Sequence, residues 1–255
     1  MTAPPPAGRP RVTVLSPHFD DVPLSLGQSL RDGTLSTCDV HVQVAFGRTN
    51  WTQWVHPTRS RARWIGLLRR YEEWRASRRF GYRWRAADWE EALLRWGDLD
   101  PDRLLDHRTD LSADPLLVEL TDWVRRQGEG ATSVGPPDLL LVPAGLGGHV
   151  DHRLLALAAA AARPHCALPI GHYEDRPYAS HLTPERRRAA LAEVLRRPTA
   201  VEVSGPVSGT THRIVQRCYR SQMDDFFRSA MLADRRTGAT ERVWFESADV
   251  PSWVT

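Results

Sequence analysis

The chain has 255 residues, 41% of them hydrophobic and 25% charged, which suits one large α/β domain or two small ones with an ample core. Its 34 basic residues are all arginine and face 31 acidic ones, for a formal charge of +3. They are spread along the chain, mostly near Asp or Glu, without the concentrated stripe of a nucleic-acid binder. No apolar run is long enough to span a bilayer and the start carries no apolar h-region, so neither a membrane partner nor secretion is expected.

Residues 1–10 read as a disordered lead-in and 11–255 as one domain. "RVTVLS" (11–16) alternates and is β-branched, which predicts a strand. Pro23 and Gly33 punctuate a helix over 22–33. "DVHVQVAF" (39–46) is a second strand, followed by a polar loop over 47–58. A long helix is predicted from Arg59 to Phe80, with Trp64, Leu67, Leu68, Tyr71 and Trp74 at helical spacing and Gly81 as its stop. Residues 82–112 show no clear period. An amphipathic helix covers 114–127, and "PDLLLVPAGLGG" is a continuous apolar run entering a Gly-rich turn, the pattern of a buried parallel strand. A helix over 149–163, a strand over 167–175 and a helix capped by Thr183 follow, with Glu185 in its first turn. "TAVEVSG" is strand-like, and one long helix over 211–232 is expected near the end. Strands alternating with helices predict an α/β fold: a mostly parallel sheet covered on both faces. Three scattered cysteines without CxxC spacing fit a reducing cytoplasm rather than a disulfide framework.

Two short motifs carry the chemistry. "SPHFDD" follows the first strand and "GGHVDH" follows the strand at 138–143. Taken alone, Asp20–Asp21 reads as an N-cap with a first-turn acid, and His149-x-x-His152 as a surface pair at a helix start. Together, each after a parallel strand, they meet across one crevice if those strands are neighbours. His18, Asp20 and Asp21 then face His149, Asp151 and His152. Two adjacent carboxylates need a compensating cation, and zinc takes this donor set, with three protein ligands and a water.

These motifs resemble the two signatures of the PIG-L (LmbE-like) family of zinc-dependent N-deacetylases. "RRYEEWRASRRFG" is similar to the family's Arg-x-x-Glu run, with Arg69, Glu72 and Gly81 at the matching positions. "YEDRPYA" and "YRSQ" look like further recurring pieces. The resemblance implies a Rossmann-like fold and one zinc per chain, with iron as the alternative in the cell. It implies His18, Asp21 and His152 as metal ligands and Asp20 as general base. His149 would stabilise the oxyanion or protonate the leaving amine, and Asp151 would orient a neighbouring histidine. Phe19 replaces the family's usual proline and Val22 its usual glutamate; neither change removes a ligand or the base.

Arg69 resembles a substrate-contacting position; the alternative is an intrahelical partner of Glu72 or Glu73. Glu174, Asp175 and Tyr178 follow a strand end and either line the crevice or form a structural loop. Trp51 and Trp54 either cover the crevice as an aromatic wall or pack onto the following helix. The expected activity is N-deacetylation of a small molecule, an N-acetylated amino sugar conjugate or natural-product intermediate. The rival is a non-catalytic α/β binding module. A homo-oligomer is left open.

Overall fold

A computed structural model describes residues 8–97, 101–130, 135–247 and 249–254. The expected disordered lead-in therefore lies outside the described residues over 1–7. The elements, in order, are β1 (Arg11–Ser16), α1 (Asp21–Asp32), β2 (Asp39–Val44), α2 (Ala62–Phe80), β3 (Arg83–Ala86), α3 (Ala92–Trp96) and α4 (Pro101–Leu104). Then come α5 (Leu116–Gly128), β4 (Leu139–Pro143), α6 (Val150–Ala162), β5 (Ile170–Tyr173), α7 (Pro184–Val194), β6 (Pro198–Pro206), α8 (Gly209–Cys218), α9 (Asp225–Thr237) and β7 (Thr240–Glu246).

The strands form one seven-stranded sheet in the order β3-β2-β1-β4-β5-β7-β6. All pairings are parallel except those of β7, which runs antiparallel between β5 and β6. Alternation along the strands splits the core into two layers. Val12, Val14, Leu139 and Leu141 face the layer under α1, α2 and α8. Leu15, Leu140 and Val142 face the layer under α5 and α6. β1 pairs with β4 through Val12–Leu139 and Val14–Leu141. Chain order reverses between these two strands, so this is the switch point where an open α/β sheet leaves a crevice. The expected α/β architecture is present. No helix among the described residues is long and apolar enough to cross a membrane.

Four details differ from the sequence reading. β3 sits inside the segment without a clear period, and β7 follows a region read as the last helix. That helix is two, because residues 219–224 leave helical geometry: Glu72 accepts hydrogen bonds from the Ser221 amide and hydroxyl, and Asp224 caps α9 by accepting from the Phe227 amide. The apolar spacing in α2 does not mark its buried side either. Trp64, Leu67, Tyr71 and Trp74 are exposed, while Arg69, Glu72, Glu73 and Ala76 are buried.

Candidate active site

β1 and β4 end side by side, and each hands over to a helix through a tight turn. After β1, Asp20 precedes α1 with φ +94°, the only positive φ on a non-glycine among the described residues. Its side chain caps nothing. Helix α2 holds it instead: Arg69 Nη2 donates to Asp20 Oδ1 at 3.1 Å and to the Phe19 carbonyl. The Asp20 amide donates to Glu73 Oε2 at 3.3 Å. Phe19 turns into the core against Trp84, and Val22 is buried in the same layer, so both departures from the family motif pack rather than face the crevice.

After β4, Gly147 and Gly148 adopt φ +82° and +85°. A Cβ on Gly147 would stand 2.1 Å from Tyr178 Cβ, and one on Gly148 2.4 Å from the Leu105 carbonyl oxygen. Only glycine fits this turn. It delivers His149 as the N-cap of α6, with Asp151 and His152 in the first turn.

The two loops converge. Asp21 Oδ2 lies 3.3 Å from His18 Nδ1 and 3.4 Å from His152 Nε2, and it accepts the His18 amide at 2.7 Å. One ring nitrogen from each of His18, His149 and His152 lies within 4.8 Å of the others. His152 Nδ1 lies 2.7 Å from Asp175 Oδ1. A proton on Nδ1 suits that carboxylate and leaves Nε2 free, a buried nitrogen with no hydrogen-bond partner among the described residues. Asp151 accepts from His18 Nε2 at 3.0 Å, from the Ala92 amide at 2.9 Å and from Arg95 at 2.8 Å.

Charge follows this geometry. Burial works against a charged His18, but hydrogen bonds to Asp151 and Asp21 push its imidazole up to about 10. Burial also opposes the Asp151 carboxylate, yet Arg95 and His18 hold it well below the usual range. Burial, then the neighbouring His18 and His152, keep His149 neutral, well below the ordinary histidine value. The His149 Nδ1 accepts the Asp151 amide at 3.3 Å, so its proton sits on Nε2. Burial lifts Asp20 to about 7 against the pull of Arg69, with Asp21 adding to the rise. A divalent cation fits here: a carboxylate oxygen between two imidazole nitrogens, one of them an orphan, is a donor set for zinc or iron.

The cavity over this cluster holds about 370 Å³ and is lined by His18, Asp20, Asp21, Arg69, His149, Asp151, Tyr178 and Trp51, among others. Tyr178 rests against His149 and His152, with ring centroids 5.8 and 5.3 Å away. Three expected residues are elsewhere. Trp54 points to solvent. Glu174 is turned to Arg187 and Trp244. Asp175 stands behind His152, since both its oxygens are taken by that ring and the Leu146 amide. The sequence reading missed Glu91 and Leu93, which lie in the segment without a period, and Gln222, Asp224 and Phe226, which it assigned to a continuous helix; all five line the cavity.

The fold and site define an α/β protein with a histidine–carboxylate centre at the sheet's switch point. No family model matches the chain. It is 30% identical over 242 residues to 2'-N-acetylparomamine deacetylase of Streptomyces fradiae, covering 92% of this chain and 81% of the relative. The chain belongs to that deacetylase family. Solved structures share the fold. A deacetylase–bog complex of the teicoplanin biosynthesis pathway superposes with a TM-score of 0.66 at 20% identity, covering 92% of this chain and 96% of that one. The A40926 pseudoaglycone deacetylase Dbv21 gives 0.63 at 20% identity, covering 96% and 100%.

Proposed function

We propose that this chain is a metal-dependent N-deacetylase of the PIG-L (LmbE-like) type, one catalytic domain acting in the cytoplasm on an N-acetylated amino sugar or natural-product intermediate. The observation that carries the reading is the meeting of Asp21 Oδ2 with His18 Nδ1 and the orphan His152 Nε2, beside a carboxyl lifted toward neutrality. The relative's N-acetylated amino sugar substrate supports the substrate class.

His18, Asp21 and His152 hold the cation, zinc or iron, which when bound acidifies water and polarises the acyl oxygen. Asp20, its Oδ1 held by Arg69, takes a proton from the attacking water through Oδ2. His149 donates its Nε2 proton in a hydrogen bond to the acyl oxygen as charge develops there. The water oxygen bonds to the acyl carbon, the C–N bond breaks, and the proton gained by Asp20 passes to the departing nitrogen. The products are a carboxylate and a free amine. Asp151 and Asp175 orient His18 and His152.

Metal analysis and acetate release on the same preparation test this. One divalent ion per chain is expected, lost in His18→Ala with His152→Ala. Asp20→Asn should keep the ion and lose activity by roughly 10²–10⁴-fold, the worth of a positioned base. Stoichiometric metal in the double variant, or full activity in Asp20→Asn, overturns the assignment. No acetate release from any N-acetylated amino sugar by metal-loaded enzyme would favour the binding module.

A further inference from the structure

The outer face of α2 presents Trp64, Leu67, Tyr71 and Trp74 at 76%, 63%, 56% and 52% exposure. Steps of three, four and three residues align them as one stripe along the helix. Tyr71 and Trp74 stack on each other, with Arg75 over the tyrosine ring. Arg63, Arg75, Arg78 and Arg79 flank the stripe, and none forms an ion pair among the described residues. Glu72 and Glu73, the only acids between residues 59 and 81, are turned inward and buried. The face is therefore aromatic, and the exposed charges that α2 itself supplies are all cationic, with Arg70 paired to Asp88. Trp51, Trp54 and Val55, in the loop before α2, are exposed as well, and Trp51 belongs to the wall of the cavity.

We propose that this face docks on an anionic phospholipid surface. Trp and Tyr rings suit the depth of the headgroups, and flanking arginines meet lipid phosphates. A helix lying in the headgroup plane needs no span, so the expectation of no membrane partner, made from the lack of one, does not bear on it. A second copy seated here would bring the same unpaired guanidinium groups face to face. The stripe is also small for self-association: aromatic side chains of ~150–250 Å² each give it on the order of 500 Å², against ~800 Å² per partner in a stable complex. The proposal is independent of the hydrolase reading.

Co-sedimentation of the full chain with vesicles tests it. Vesicles of phosphatidylglycerol with phosphatidylcholine should carry the protein down and blue-shift its tryptophan emission. Phosphatidylcholine alone should not, and high salt should weaken the binding. Trp64→Ser with Trp74→Ser should cut vesicle binding at least tenfold while metal content stays unchanged. Arg63→Glu with Arg78→Glu, which keeps the stripe, should do the same. No binding to anionic vesicles at low salt overturns the proposal. So does a dimer in light scattering that the Trp64→Ser variant dissolves, since the occupant is then a second copy.

Discussion

On the inner face of α2, Arg69, Glu72 and Glu73 are buried among partners; on the outer face, two tryptophans, a tyrosine and a leucine stand in water. A helix placed by apolar burial alone would be turned the other way. Polar satisfaction decides the orientation. Glu73 accepts from the Tyr82 hydroxyl at 2.7 Å, the Tyr219 hydroxyl at 2.6 Å and the Asp20 amide. Glu72 takes both donors of Ser221. Arg69 takes Asp20 and the Phe19 carbonyl. A buried charge is tolerated only where such partners converge, and here they converge on two loops of the crevice. The apolar residues left outside are then available for another surface.

The largest effect should come from Arg69→Met, which keeps the bulk of the side chain and removes its charge. Asp20 loses its clamp, and the Phe19 carbonyl loses a donor. Turnover should fall by about 10²-fold or more, the usual range for a base out of place, with metal content retained. Unchanged turnover would make the inner face structural only. Next is Glu72→Ala. It strands the Ser221 amide and hydroxyl, a cost of about 1–3 kcal/mol, read as a melting temperature lower by roughly 2–4 °C per kcal/mol for a chain of this size. KM should rise as well, because Gln222 and Asp224, beside Ser221, line the cavity. A lower melting temperature with an unmoved KM would separate the loop from substrate binding.

The reversed helix also shows where sequence reasoning reaches its limit. The two motifs were legible because each follows a strand, and strand order alone then placed them together. The residues of both motifs and the turn glycines sit within a few positions of β1 and β4, so local pattern sufficed to bring them together; the roles of ligand and base came only with the resemblance to a family. Facing was not legible in α2, because periodicity reports which residues share a side and not what lies opposite. Glu73's partners, Tyr82 and Tyr219, are 9 and 146 residues away. Asp175 stays open in the sequence, between crevice and structural loop, for the same reason: nothing near residue 175 announces a histidine 23 positions earlier. Asp224, three residues before Phe227, is an N-cap signature inside the supposed long helix.

A smaller effect concerns pH. Burial pushes the Glu73 carboxyl up from its ordinary 4.5, against the pull of the Tyr219 and Tyr82 hydroxyls and the Asp20 amide. Its folded value therefore exceeds its unfolded one. The stability it contributes is whole below pH 4.5 and declines as pH rises through the elevated folded value, because the unfolded chain gives up a proton that the folded chain keeps. Glu73→Gln, with no proton to lose, should lack this decline. Denaturant midpoints measured from pH 4 upward for both proteins make the comparison, and parallel curves would show that the carboxyl titrates alike in both states.

The smallest effect should come from the outer face. Trp64 has no hydrogen bond among the described residues, and its ring lies mostly in solvent. Trp64→Ser therefore removes little buried area and leaves no cavity, and exposed substitutions of this kind fall within about ±0.5 kcal/mol. Serine is a somewhat weaker helix former than tryptophan's neighbours in this helix, but the difference is a few tenths of a kcal/mol in one turn. Melting temperature and turnover on a soluble substrate should both match the parent chain. The same substitution on the inner face has no such latitude, so the pair measures how far the two faces differ. A loss of several degrees in dilute, lipid-free solution would mean that the Trp64 ring packs against protein after all, and the contrast between the faces would fail on its exposed side.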